Sequence, residues 1–229
     1  MQESGLDIGI VFHVGSFEIT DTVVTSFGIT VLLGVVFWFL TRALTRTPGR
    51  IQTVLEAVVS TIEDAVASVA PDHAKQLTPF IGSLWIFILI SNLIGLIPGL
   101  HSPTRDFSAT AGLAVMVFFA VHWFGIRILG FKAYLRHFIR PSPLLVPFNI
   151  ISEISRTIAL SVRLFGNMMS LEMTALLILM VAGFLAPVPV LMLHIVEALV
   201  QAYIFGILAL VYIASGLQSQ QIHEQKNKE

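Results

Sequence analysis

The sequence predicts an all-α integral membrane protein: about five membrane segments plus a surface amphipathic helix, the last two segments long and tilted as a hairpin. Three observations predict it. Of 229 residues, 55% are hydrophobic and only 12% charged, against roughly 25% charged in ordinary soluble domains. Mean hydropathy is +0.86. The apolar residues gather in runs of about 20 or more, the length a helix needs to cross a hydrocarbon core about 30 Å thick.

Within a single membrane domain, 1–229, the segments follow in order. Residues 1–22 carry acids (Glu3, Asp7, Glu18, Asp21) and lack the basic start and cleavage site of a signal peptide. Span 1 covers 23–44, and Pro48-Gly49 breaks the chain after it. Residues 51–70 place Ile51, Val54, Leu55, Val58, Ile62, Val66 and Val69 at helical spacing, opposite Gln52, Glu56, Ser60, Glu63 and Asp64. That pattern predicts an amphipathic helix on the membrane surface or against a partner. Span 2 covers 77–98 with Asn92 as its polar interruption, and span 3 covers 108–129. Segment 4, 148–185, has no proline. As one helix it would be about 57 Å long, so it must tilt steeply. Segment 5, 190–216, follows Pro187 and Pro189, and a polar tail occupies 217–229.

Basic residues set the orientation. With the N-terminus outside and the C-terminus cytoplasmic, Arg42, Arg46, Arg50, Lys75, Arg127, Lys132, Arg136, Arg140, Lys226 and Lys228 share the cytoplasmic side. Only Arg105 lies outside. The expected location is a bacterial inner membrane, multi-pass. A net charge of −1 gives no case for nucleic acid, and the lack of cysteine excludes disulfides and Cys-ligated metals. No cofactor or metal is expected.

The charges inside the membrane carry the functional argument. Arg163 sits in the apolar run of segment 4 and cannot neutralise itself by losing a proton. At a bilayer centre it costs roughly 2.5–3.5 kcal/mol on insertion scales, so it needs a partner or an aqueous cavity. Arg156, Arg163, Asn167 and Ser170 fall within about 60° on one helix face. Glu172 lies about 180° round from Arg163 and about 13 Å along, too far to pair with it on a regular helix. On segment 5, His194, Glu197 and Gln201 share a second face. Buried carboxylates and imidazoles are the groups that relay protons across membranes. Bland readings stand beside these: Asn167 and Gln201 as amides that bind helices together, and Glu153 with Arg156 as an ordinary i,i+3 pair. His73, His101, His122, His137 and His223 show no ligand spacing and read as surface or interface residues.

Arg163-Leu-Phe-Gly-Asn167-Met followed by Glu172, then His194 and Gln201 seven apart, resembles subunit a of the F-type rotary ATP synthase, over most of the chain and most strongly over 155–215. The resemblance implies a stator ion-channel subunit that does no covalent chemistry itself. Arg163 would be the essential arginine facing the carboxylates of a rotating c-ring. Asn167, Glu172, His194, Glu197 and Gln201 would line the half-channel from the outer side. Arg156 would match a basic position on the cytoplasmic side, and Glu153 an acidic residue of the outlet half-channel. Asn92 and Asp106 match family positions without an assigned role. The implied partners are the c-ring, the peripheral-stalk b subunits, the remaining ATP synthase subunits, the lipid bilayer and the transported H+ or Na+. Thr157, where many members have proline, and Leu171, where a small residue often precedes the glutamate, suggest a divergent branch.

Two other classes share some of these features. A stand-alone secondary ion transporter would use the same relay, but the chain lacks internal repeats and paired broken helices. An intramembrane serine hydrolase would need Ser215 and His194 to meet, and on one helix they stand about 31 Å apart.

Overall fold

The computed structural model describes residues 10–14, 17–42, 49–97, 100–131, 146–182 and 188–226. Arg46, Lys132, Arg136, Arg140 and Lys228, which the orientation argument uses, lie outside them. So do the turn before Pro187 and His137.

A short antiparallel hairpin opens the chain, β1 (Ile10–Val14) and β2 (Phe17–Thr20), pairing Val14 with Phe17 and Ile10 with Thr20. It adds to the all-α membrane architecture ahead of the first helix. Among the described residues six α-helices follow: α1 (Asp21–Arg42), α2 (Arg50–Val69), α3 (Ala74–Ile94), α4 (Phe107–Leu129), α5 (Val146–Ala182) and α6 (Val188–Lys226). All except α2 contain a stretch long and apolar enough to cross a membrane. Asp106 caps α4, its Oδ1 accepting from the Ser108 N–H at 2.9 Å, which satisfies one of the helix's first free donors.

The core forms where α3, α4, α5 and α6 meet. Leu77, Ile81 and Ile88 of α3 pack with Val117 of α4, Leu160, Leu164 and Met168 of α5, and Phe205, Leu210 and Ile213 of α6, all essentially without exposure. In α5, the i, i+4, i+8 spacing of Leu160, Leu164 and Met168 lays one narrow stripe inward. The opposite side of α5 stays exposed. Helix α1 has only Ile29 buried and presents Phe27, Leu32, Trp38 and Phe39 outward, as a helix against lipid would. Helix α2 is anchored at one end by Val66, while Ile51 and Val54 remain exposed at the other.

Helices α3 and α6 run antiparallel in close contact. Trp85 stacks on Tyr203 with ring centroids 5.7 Å apart, and its Nε1–H donates to the Tyr203 carbonyl at 3.2 Å. Gly206 makes room for this: a Cβ there would fall inside the Trp85 indole. Helices α4 and α5 are also antiparallel, with Phe107 against Phe165 and Thr110 beside Ser161. One end of the bundle therefore gathers the start of α1, the 100–106 connection, the end of α5 and the start of α6. At 1.5 Å per residue the 37 residues of α5 span about 55 Å, far more than a bilayer core.

Gly206→Ala is expected to force α3 and α6 apart, costing about 1–3 kcal/mol as overpacking does. Thermal unfolding of the purified protein would register a lower midpoint. Adding Trp85→Ala should recover part of the loss, and no recovery would argue against this contact as the cause.

Candidate ion path

Arg163 lies midway along α5 on its exposed side. It makes no hydrogen bond or ion pair among the described residues. Arg156 and Ser170 share that exposed stripe, as the helical spacing predicts. The Arg156 guanidinium sits 5.5 Å from the Tyr212 ring centre of α6, rather than on Glu153.

Asn167 is at the border of the stripe, half-buried. Its Nδ2 donates to Oε1 of Gln201 on α6 at 2.7 Å. Gln201 is fully buried, and its Nε2 has no hydrogen-bond partner among the described residues. An amide donor left unmatched away from water costs about 1–3 kcal/mol. Such a donor marks a point where a polar visitor would be welcome.

Glu172 faces the other way, towards the 100–106 connection. Its Oε2 meets Arg105 Nη1 at 3.2 Å, and its Oε1 accepts from the Ser102 N–H at 3.4 Å. From Ser102 a polar seam leads inward. The Ser102 hydroxyl donates to the Ser91 carbonyl at 2.9 Å and lies 2.7 Å from the Thr104 hydroxyl. Thr104 in turn donates to Asn92 Oδ1 at 2.6 Å. The Asn92 carbonyl is 3.1 Å from His194 Nε2. Since a carbonyl only accepts, that nitrogen carries the proton. Ser91, Asn92, Ser102, Thr104 and His194 are all buried, and the Ser91 hydroxyl has no partner among the described residues. Glu197 lies between His194 and Gln201 on α6, half-buried. A cavity of about 410 Å³ opens between α1, α3 and α4 and reaches Thr104 and Ser108.

A second polar pair stands towards the opposite end. His122 of α4 approaches Glu153 of α5, with Nε2 3.3 Å from Oε2. Its Nδ1 is 2.8 Å from the Phe118 carbonyl and so is held as the donor. The Thr157 hydroxyl donates to the Glu153 carbonyl at 3.0 Å, and the helix runs unbroken through this position.

The structure thus brings Asn167 to Gln201 and links Glu172 to His194 through the seam. It does not bring Arg163 to any of them, nor Glu153 to Arg156. Sequence reasoning gave no weight to Ser91, Ser102 or Thr104, used Arg105 only to set the orientation, and read His122 only as a surface or interface residue. The available signal was the density of Ser, Thr, Arg and Asp in a short connection between two spans.

Among the described residues, five membrane-length helices and a buried polar seam define a polytopic membrane protein with polar groups gathered in its interior. The family profile described as ATP synthase A chain matches residues 23–214, and the chain belongs to that family. It is 58% identical to "ATP synthase subunit a 1" of Hahella chejuensis over 93% of this chain and 91% of that one. It is 57% identical to "ATP synthase subunit a 2" of Pelobacter propionicus (95% and 96%) and 53% identical to "ATP synthase subunit a" of Legionella pneumophila strain Paris (98% of each).

Thr104→Val keeps the shape and removes the hydroxyl shared by Asn92 and Ser102. The expected cost is about 1 kcal/mol, in the range of interhelical hydrogen bonds in membranes, read as a lower denaturation midpoint in detergent. An unchanged midpoint would mean the seam contributes nothing to holding α3, the connection and α6 together.

Proposed function

We propose that this chain is the ion-conducting stator subunit of a rotary ATP synthase, with two offset half-channels separated by Arg163. One observation carries the reading. The arginine is exposed midway along α5, and a polar group lies inward of it on either side: Glu172 about 13 Å one way and Glu153 about 15 Å the other. An ion path on this plan is interrupted at the arginine, and an ion can pass only by leaving on another protein.

The seam from Glu172 through Ser102, Thr104 and Asn92 to His194, with Glu197, Asn167 and Gln201, forms the inlet half-channel. The unmatched Ser91 hydroxyl and Gln201 amide support it, because each offers a polar ion or water a partner. His122 and Glu153 belong to the outlet. The exposed stripe of Arg163, Ser170 and Asn167's edge meets the c-ring, whose carboxylates neutralise the guanidinium. Arg156 stands on the same stripe towards the outlet end.

The physics of the cycle follows. A cation delivered through the inlet neutralises a rotor carboxylate, and the neutral site enters lipid at low cost where the charged one would not. After nearly a full turn the site reaches the outlet and releases its ion. Arg163 attracts the ionised carboxylate and blocks direct leakage. Each charge crossing contributes about 2.3 kcal/mol per 100 mV, so several are summed for one ATP. The chain itself catalyses no covalent step. It works with the c-ring, b subunits and the rest of the complex in a bacterial inner membrane, N-terminus outside, carrying H+ or Na+.

The test is ATP-driven ion pumping in inverted vesicles, with assembly checked by co-purification. Arg163→Ala is expected to abolish coupled pumping while passive leak persists or rises, and running it with H+ and with Na+ gradients identifies the ion. Normal coupled pumping in an assembled Arg163→Ala complex would remove the reading.

A further inference from the structure

Arg105 stands outside the roles discussed so far. It lies in the connection between α3 and α4, its Nη1 is 3.2 Å from Glu172 Oε2, and the two side chains are only 14% and 16% exposed. Glu172 is also tied to the backbone N–H of Ser102. The carboxylate fits against Gly95, the residue that caps the end of α3, where a Cβ would stand 3.3 Å from Oε1. Three separate elements thus shape a site for this one ion pair. Two nearby titratable groups have partners of their own. Asp106 accepts from Ser108, and His194 meets the Asn92 carbonyl. His101 is exposed, and among the described residues α3 brings no charged side chain to this end.

We infer that Arg105 is a positioning residue of the ion path: it fixes the Glu172 carboxylate against Ser102 and cancels its charge, so that a passing cation is guided without being trapped. This rests on the half-channel reading above. An isolated carboxylate in a poorly solvated path attracts a cation strongly, since Coulomb energies grow as the effective dielectric falls. Such a site loads readily and releases slowly. A carboxylate already matched by a guanidinium offers a directional acceptor with little net charge. The arrangement keeps the path polar while leaving the strong cation binding to the rotor.

The experiment uses the whole complex in proteoliposomes, making ATP under a fixed potassium diffusion potential. The H+ or Na+ concentration on the inlet side is varied. Arg105→Gln is expected to lower the half-saturating cation concentration by about tenfold and to reduce the maximal rate. Arg105→Lys, which keeps the cation, should stay near the unmodified protein in both. Glu172→Gln leaves the guanidinium facing the path without its carboxylate and should raise half-saturation. The double variant Arg105→Gln/Glu172→Gln should bring it back. Half-saturation unmoved by Arg105→Gln, or a Glu172→Gln effect that the double variant fails to reverse, overturns the inference. The second comparison decides the matter even if Arg105→Gln alone does not assemble. Arg163→Ala run alongside separates the two levels. Coupled synthesis in that variant would remove the half-channel reading itself, whereas loss of synthesis there with unmoved half-saturation in Arg105→Gln removes only the role of Arg105.

Discussion

Hydrocarbon offers no water to a polar group, so whatever is polar inside this bundle must be matched by protein or by what passes through it. That constraint explains why Ser91 and Asn92 of α3, Glu172 of α5, His194 of α6 and the 100–106 connection converge on one seam. Asn92 serves Thr104 through its side-chain oxygen and His194 through its backbone carbonyl. Ser102 reaches both Ser91 and Glu172. Breaking one member leaves several others unmatched, which makes the seam a cooperative unit. It also fixes the 100–106 connection between α3 and α5, so a short surface link becomes part of the interior.

Apolar packing supplies the frame around the seam. Trp85 over Gly206 holds α3 to α6 at one level, and Leu160, Leu164 and Met168 hold α5 at another. Because that stripe on α5 is narrow, one whole side of the helix remains uncovered, and Arg163 stands there. A bundle that buried α5 fully would have had to pair the guanidinium internally. Here the guanidinium has no partner among the described residues, while Glu172 and Glu153 are matched within the chain.

Much of this was legible in the sequence because helices are periodic. Run length identified the membrane-length helices, and 100° spacing put Arg156, Arg163 and Ser170 together on the stripe that proves exposed. The same spacing placed Asn167 on that stripe, yet packing against α6 draws it half inward to Gln201. Glu172 was correctly kept apart from Arg163, but its actual partner lies 67 residues earlier, in a connection with no periodicity to read. His122 and Glu153 were missed as a pair for the same reason: a contact between two helices depends on their relative register, which neither sequence segment states. Arg156, three residues from Glu153, looked like its natural partner, and instead its guanidinium lies towards Tyr212. The β-hairpin before α1 lies in a segment whose sequence offered charge but no clear alternation.

The uncovered side of α5 also bears on how the chain is made. A newly inserted copy exposes a guanidinium to lipid in the middle of a membrane helix, at a cost of a few kcal/mol that ends only when a complementary surface arrives. Until then the chain is a poor guest of the bilayer, prone to pulling water and headgroups inward around that point. An excess of this chain therefore burdens the bilayer at one point, and any protein surface that covers this side of α5 removes the burden.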